Sequence, residues 1–167
     1  PTAVLSTHTM FKDFTCKDLT DQLVPITDHW KKEGIHFDAI YTGYLGSQEE
    51  IEICKKIFAE FKDEDTLIFI DPVMADHGKL YPAFDEAYAK QNATLCGEAD
   101  IIVPNLTEAC FMTDTEYKEN YDEAYVKELL NKLAALGSKV VVLTGIALSE
   151  GKNGVYGLDT RTGDYFF

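Results

Sequence analysis

Apolar runs without alternation punctuate the chain at Ala3-Val4-Leu5, Leu67-Ile68-Phe69-Ile70, Ile101-Ile102-Val103 and Val140-Val141-Val142-Leu143, and Asp38-Ala39-Ile40-Tyr41-Thr42 reads as a further strand. Such runs suit strands covered on both faces, the pattern of a parallel sheet. Between them, apolar residues recur at helical spacing. Leu19, Leu23, Ile26 and Trp30 form one stripe ending at Gly34, and Pro25 within it predicts a kink or a break into two short helices. Ser47 and Glu50 have capping-box spacing ahead of a stripe made by Ile51, Cys54, Phe58 and Phe61. Phe84, Tyr88 and Leu95 predict a helix to about Gly97, and Thr107 to Met112 has short helical character. Val126, Leu129, Leu130, Leu133 and Leu136 mark a helix over residues 122–135, stopped by Gly137.

The tail differs in kind. Val155-Tyr156-Gly157-Leu158 and Tyr165-Phe166-Phe167 flank a turn-rich segment, residues 159–164, which predicts an antiparallel hairpin. Strand–helix alternation ahead of it predicts an α/β fold, a three-layer, mostly parallel sheet with helices on both faces. The right-handed crossover rule places all the parallel strand ends on one edge. Residues 1–167 read as one α/β domain, and both ends look like cuts through something longer. The chain opens on Pro1 directly ahead of a strand and closes on an aromatic run that needs a neighbour.

Chemistry concentrates where the strands end. A strand covered on both faces has no place for a carboxylate until it leaves the sheet, so Asp71, after Leu67-Ile68-Phe69-Ile70, stands at a carboxyl edge, with Pro72 ending the ladder. That edge is where open parallel sheets bind ligands. Five polar or glycine-containing segments converge on it: residues 6–9, residues 42–46, Asp71, residues 104–108 and Thr144-Gly145. Asp71 and Glu108 together can hold Mg²⁺, which takes one or two carboxylates and fills its shell with water and phosphate oxygens. Asn105 is a helix N-cap after Pro104, and the helix that follows would aim N–H groups and a positive dipole end at an anion. Thr144-Gly145 offers a hydroxyl and open backbone that fit a triphosphate, or simply a strand-to-loop turn. Tyr44, between Gly43 and Leu45, reads as a half-buried core aromatic or a ligand platform. His8 reads as structural, having no paired nucleophile, and His29, His36 and His77 as surface residues.

Composition narrows the class. Twenty-nine acids against 15 Lys and Arg give a net charge of -14, which argues against a nucleic-acid surface. No apolar stretch approaches a membrane span, no export leader precedes the first strand, and a cytoplasmic location is the expectation. Cys16, Cys54, Cys96 and Cys110 lie too far apart for a zinc site and read as reduced core residues. Neither G-x-x-x-x-G-K-[ST] nor G-x-G-x-x-G is present, so a nucleotide would be held by another architecture.

Four motifs then carry a resemblance. Ser6-Thr7-His8-Thr9, Thr42-Gly43-Tyr44-Leu45-Gly46-Ser47, Asp71-Pro72-Val73-Met74 and residues 100–108, Asp-Ile-Ile-Val-Pro-Asn-Leu-Thr-Glu, resemble motifs of the pyridoxal/pyridoxine (vitamin B6) kinases of the ribokinase superfamily, in the family's order. The Asp-Pro-Val-Met and Pro-Asn-x-x-Glu motifs are shared with hydroxymethylpyrimidine kinases, and the first two segments point more narrowly to vitamin B6. The resemblance implies a ribokinase-like fold and transfer of the ATP γ-phosphoryl group to the 5'-hydroxymethyl of pyridoxal, pyridoxine or pyridoxamine. It also implies a role for each motif residue. Thr9 and Tyr44 would line the pyridine pocket; Asp71, Asn105 and Glu108 would organise Mg²⁺ and the ATP phosphates; Thr144 and Gly145 would lie along the nucleotide. A homodimer is implied, and a monovalent-cation requirement is left open. The family's N-terminal strand and its Gly-x-Gly-Asp motif, which supplies the catalytic base, have no counterpart, because Thr162-Gly163-Asp164 lies in a hairpin turn with no helix behind it. No catalytic residue is therefore assigned, and the chain alone is expected to be inactive. A hydroxymethylpyrimidine kinase and a non-catalytic nucleotide- or ligand-binding domain are the alternatives.

Overall fold

The computed structural model describes residues 1–7, 11–149 and 151–167. In chain order its elements are β1 (Val4–Ser6), β2 (Cys16–Asp18), α1 (Thr20–Lys32), β3 (Ala39–Thr42), α2 (Gln48–Phe61), β4 (Leu67–Ile70), β5 (Ala75–Asp76), β6 (Lys79–Leu80), α3 (Glu86–Cys96), β7 (Ile101–Ile102), α4 (Leu106–Met112), α5 (Glu123–Ala134), β8 (Val140–Ser149), β9 (Lys152–Asp159) and β10 (Asp164–Phe166). Six strands form one sheet in the order β10-β9-β8-β7-β4-β3, and β3, β4, β7 and β8 run parallel. The mostly parallel α/β architecture expected from the alternation is present.

Along that sheet the buried residues alternate with half-exposed ones. Ile68, Ile70, Ile102, Val141 and Leu143 are fully buried in one core with Leu129, Leu130 and Leu133 of α5, each such side chain contributing roughly 1.5–3 kcal/mol. The register partners Tyr41, Phe69, Ile101 and Val140 line the opposite face, where Tyr41 is 60% exposed. The helices pack successively, α1 on α2, α2 on α3, α3 on α4 and α4 on α5. Within the described residues the helical cover thus lies on the face of Ile68 and Ile70. Strands added in one direction by right-handed crossovers put their helices on the same side.

Three expectations are corrected. Ala3-Val4-Leu5 does not join the parallel sheet: β1 pairs antiparallel with β2 in a separate two-stranded ribbon, so Ser6 does not end a strand of the parallel sheet. His8 and Thr9 fall outside the described residues. Pro25 neither breaks nor divides α1. The one bond it removes would have ended on the carbonyl of exposed Asp21, where water substitutes. Finally, Thr144-Gly145 does not end β8, which continues to Ser149 through a register shift between Leu143 and Ile146, paired with β9.

The predicted tail hairpin is present as β9–β10, with Asp164 opposite Asp159 and Gly163 at φ 78° in the turn. Its aromatic end touches its own neighbours but stays exposed, Phe167 at 63%. Tyr165 and Phe167 pack on Tyr156, and the Phe166 ring lies over Gly157, where any Cβ would collide with it. Residues 76–79 form a hairpin with a two-residue turn and positive φ at His77 and Gly78. The Gly78 amide donates to Thr107 Oγ1 at 3.0 Å, which lays β5–β6 over α4.

Candidate active site

β4 delivers Asp71 as the sequence requires. Its amide still donates to the Thr42 carbonyl at 2.8 Å, extending the parallel pairing one residue, and Pro72 follows, buried. The Asp71 side chain falls on the Tyr41 face, and the Tyr41 hydroxyl donates to its Oδ2 at 3.0 Å. Partial burial holds the Asp71 carboxyl above the usual aspartate range, with the Tyr41 hydrogen bond acting the other way.

Glu108 is nearly sealed, at 3% exposure. It and Asn105 complete a full capping box on α4: Asn105 Oδ1 accepts from the Glu108 amide at 2.9 Å, and Glu108 Oε2 accepts from the Asn105 amide at 2.8 Å. The other carboxylate oxygen accepts from the Met74 amide at 3.1 Å, and Asn105 Nδ2 donates to the Ala75 carbonyl at 2.8 Å. These last two bonds tie the segment after Asp71 to the start of α4. Burial pushes the Glu108 carboxyl up to about 7 despite the Asn105 and Met74 amides, and the charge of nearby Asp71 adds to the rise. The expectation that α4 presents free N–H groups is narrowed, since the Glu108 amide is already capped and Asn105 spends its side chain on protein partners.

Two acids therefore share one edge with no compensating cation. Among the described residues, no lysine, arginine or histidine forms an ion pair with Asp71 or Glu108, although eleven ion pairs occur elsewhere. Nor does any group of three or more His, Cys, Asp or Glu side chains among them form a closed metal cage. An uncompensated carboxylate pair without a cage fits Mg²⁺ that keeps water and phosphate oxygens in its shell, rather than a structural metal. Asp71 is the more accessible of the two. Glu108, with both oxygens engaged, fits a role through water beside Asp71.

Thr144 joins this edge through the backbone. It bridges Asn105 in parallel fashion, and its amide donates to the Pro104 carbonyl at 3.0 Å. Gly145 sits at φ 69° with nothing within 4 Å of where a Cβ would lie, so the bulge in β8 presents open backbone beside Asn105.

At the end of β3 the chain turns through Gly43-Tyr44-Leu45-Gly46. A cavity of about 120 Å³ lies there, lined by Ala3, Leu23, Thr42, Tyr44 and Leu45 among others. Thr42 Oγ1 is buried in the wall and has no hydrogen-bond partner among the described residues. An unpaired buried hydroxyl costs roughly 1–3 kcal/mol, so Thr42 Oγ1 has hydrogen-bonding capacity to spare at the cavity wall. From the sequence, Thr42 marks a strand end and carries no role of its own. Tyr41, whose hydroxyl engages Asp71, was read only as a strand residue. Nothing in either residue's type distinguishes it; parallel register brings Tyr41 and Thr42 beside Phe69 and Ile70.

This geometry can be set beside known proteins. The phosphomethylpyrimidine kinase family matches residues 7–163. The pyridoxine kinase of Bacillus subtilis is 36% identical over 127 residues, which is 74% of this chain and 42% of that protein. A phosphomethylpyrimidine kinase structure from Bacteroides thetaiotaomicron aligns with a TM-score of 0.93 at 38% identity, covering 98% of this chain and 57% of the other. A second crystal form, with pyridoxal, aligns with a TM-score of 0.89 at 36% identity over 98% of this chain and 58% of the other. The chain thus spans about two fifths of the curated relatives it matches. It belongs to the phosphomethylpyrimidine kinase family, alongside pyridoxine and pyridoxal kinases of the same ribokinase-like architecture.

Proposed function

We propose that the protein to which this chain belongs phosphorylates a vitamin B6 vitamer, transferring the γ-phosphoryl group of ATP to the 5'-hydroxymethyl of pyridoxal, pyridoxine or pyridoxamine. The observation that carries this reading is the Asp71–Glu108 pair, which no cation among the described residues answers and which Tyr41 links to the wall of the cavity holding Tyr44 and Thr42, in a chain 36% identical to a pyridoxal-bound relative. Tyr44 would take the pyridine ring against its face, with Thr9 beside it. Asp71 would hold Mg²⁺ directly and Glu108 through water, and Asn105, Thr144 and Gly145 would border the phosphates. Bound Mg²⁺ would neutralise charge on the β- and γ-phosphates, and positioning would do most of the remaining work. We assign the reaction to a cytoplasmic homodimer.

The family's own description supports a second reading, a hydroxymethylpyrimidine kinase. Offering both alcohols with Mg-ATP to the complete protein separates the two: pyridoxal is expected to be phosphorylated at the higher kcat/KM. Preference for the pyrimidine would overturn the B6 assignment. Residues 1–167 alone are expected to show no turnover, as no residue here is assigned as catalytic base.

A further inference from the structure

Tyr44 lies between Gly43 and Leu45, outside any helix or strand, and is 40% exposed, so the local backbone does little to hold the ring in one plane. What holds it comes from elsewhere in the chain. Its ring contacts Phe84 at 5.5 Å between centroids, and Phe84 in turn stacks on Tyr88 at 4.1 Å with 16° between planes. Tyr88 is 3% exposed, and its hydroxyl donates to the Leu45 carbonyl at 2.7 Å. One side chain therefore supports the stack with its ring and fastens the residue after Tyr44 with its hydroxyl. Burial raises the Tyr88 phenol further from ionisation, which keeps that hydroxyl a donor.

The other end of the turn is fastened as well. The Gly46 amide donates to Glu50 Oε2, and Glu50, fully buried, also accepts from Thr20 Oγ1 at 2.6 Å. Phe84 itself is set by a turn in which its amide donates to the Tyr81 carbonyl at 2.9 Å. It immediately precedes Asp85, which caps α3 by accepting from the Tyr88 amide at 2.8 Å. Phe84 and Tyr88 thus reach Tyr44 from a segment about forty residues further along the chain.

We propose that Phe84 and Tyr88 are positioning residues that hold the Tyr44 ring as a platform for an aromatic heterocyclic substrate and so set its affinity without affecting the nucleotide. This rests on the reading of Tyr44 as the ring platform. A planar ring gains from stacking only if its partner is already oriented; a free Tyr44 would lose that orientation entropy on binding.

The test uses the complete protein and whichever alcohol, pyridoxal or hydroxymethylpyrimidine, the wild type phosphorylates. Phe84→Leu is expected to raise KM for that alcohol about tenfold, and Tyr88→Phe, which removes only the hydroxyl, about threefold, with KM for ATP within about twofold of wild type. Phe84→Tyr, which keeps the stack, should restore the alcohol KM. Loss of packing alone would lower kcat for both substrates and leave the two KM values in their original ratio. Aromatic NMR supplies a reading independent of turnover: the Tyr44 ring resonances should shift in Phe84→Leu, and amide order at Leu45 and Gly46 should fall in Tyr88→Phe. An unchanged alcohol KM in both variants, or unchanged Tyr44 resonances, overturns the proposal. Turnover of the pyrimidine alone would overturn the B6 reading while leaving the positioning role supported by the same KM pattern. A wild type that phosphorylates neither ring overturns both.

Discussion

Asp100 and Asp71 stand at opposite edges of the same parallel sheet, one just ahead of β7 and the other just behind β4. Asp100 is 4% exposed, and everything around it answers its charge: the Ile68 amide at 2.8 Å, Lys139 Nζ at 2.7 Å and Lys62 Nζ at 3.3 Å. Burial alone would raise its carboxyl, but the Ile68 amide and the two lysines outweigh that and hold it below the usual range. Asp71 has a tyrosine hydroxyl and a second acid for company, and its carboxyl is raised. An acid that the fold satisfies serves stability. An acid that the fold leaves short of positive charge makes sense when a ligand supplies the missing cation.

The contrast can be broken at either edge. The largest effect is expected from Asp100→Ala, which strips the Ile68 amide and both lysines of their acceptor and should lower unfolding free energy by about 3 kcal/mol in denaturant titration. Asp71→Ala should change it by no more than about 0.5 kcal/mol. Since Asp100 is lowered in the folded state, its contribution is present above about pH 4 and is lost as pH falls through its native value. Equal losses for the two variants would erase the distinction between the edges.

Next in size is the effect of Asp71→Asn on catalysis. In the complete protein it should reduce kcat/KM for Mg-ATP on the order of 10- to 100-fold, read by steady-state kinetics across a Mg²⁺ titration. Unchanged kinetics would leave Asp71 without a metal role.

The smallest effect concerns Glu108 and runs opposite in sign to that of Asp100. Because its folded value is raised to about 7, the folded state binds the proton more tightly than the unfolded chain does. Stability from this group is full below about pH 4 and lost as pH rises through about 7. Between about pH 5 and pH 7 the loss should be about 2 kcal/mol, and it should be missing from the difference curve of Glu108→Gln. Parallel pH profiles for the two proteins, measured by chemical denaturation, would mean that Glu108 is not raised by its burial.

Much of this was legible along the chain, for reasons that are local. A run such as Leu67-Ile68-Phe69-Ile70 cannot carry a carboxylate inside the sheet, so Asp71 had to fall at an edge. Asn105 caps α4 as its place after Pro104 predicts, and Glu108 completes a capping box there, whereas Ser47 and Glu50, which have capping-box spacing, form only half of one. Ser47 Oγ accepts from the Glu50 amide, but the Glu50 carboxylate turns to Gly46 and to Thr20 in another helix. Only the folded chain brings Thr20 there. The strand at Val140 was read too short because Thr144-Gly145 looks like a stop, yet β9 supplies ladder partners that carry β8 past it. Ala3-Val4-Leu5 has strand character, but its partner proved to be Cys16–Asp18.

What the sequence determined by itself is set by single-chain sterics and periodicity. The parallel strands, the helical stripes, the tail hairpin and the release of Asp71 at a carboxyl edge follow from which residues can be buried and where φ is restricted. What tertiary structure decided is which polar groups find partners. Among the described residues Asp100 meets two lysines, Asp71 meets none and Thr42 Oγ1 finds no partner, while Tyr44 leans on Phe84, which stacks on Tyr88. These outcomes depend on distances between segments tens of residues apart, which no local pattern encodes, and they separate the acid that stabilises from the acid available to a ligand.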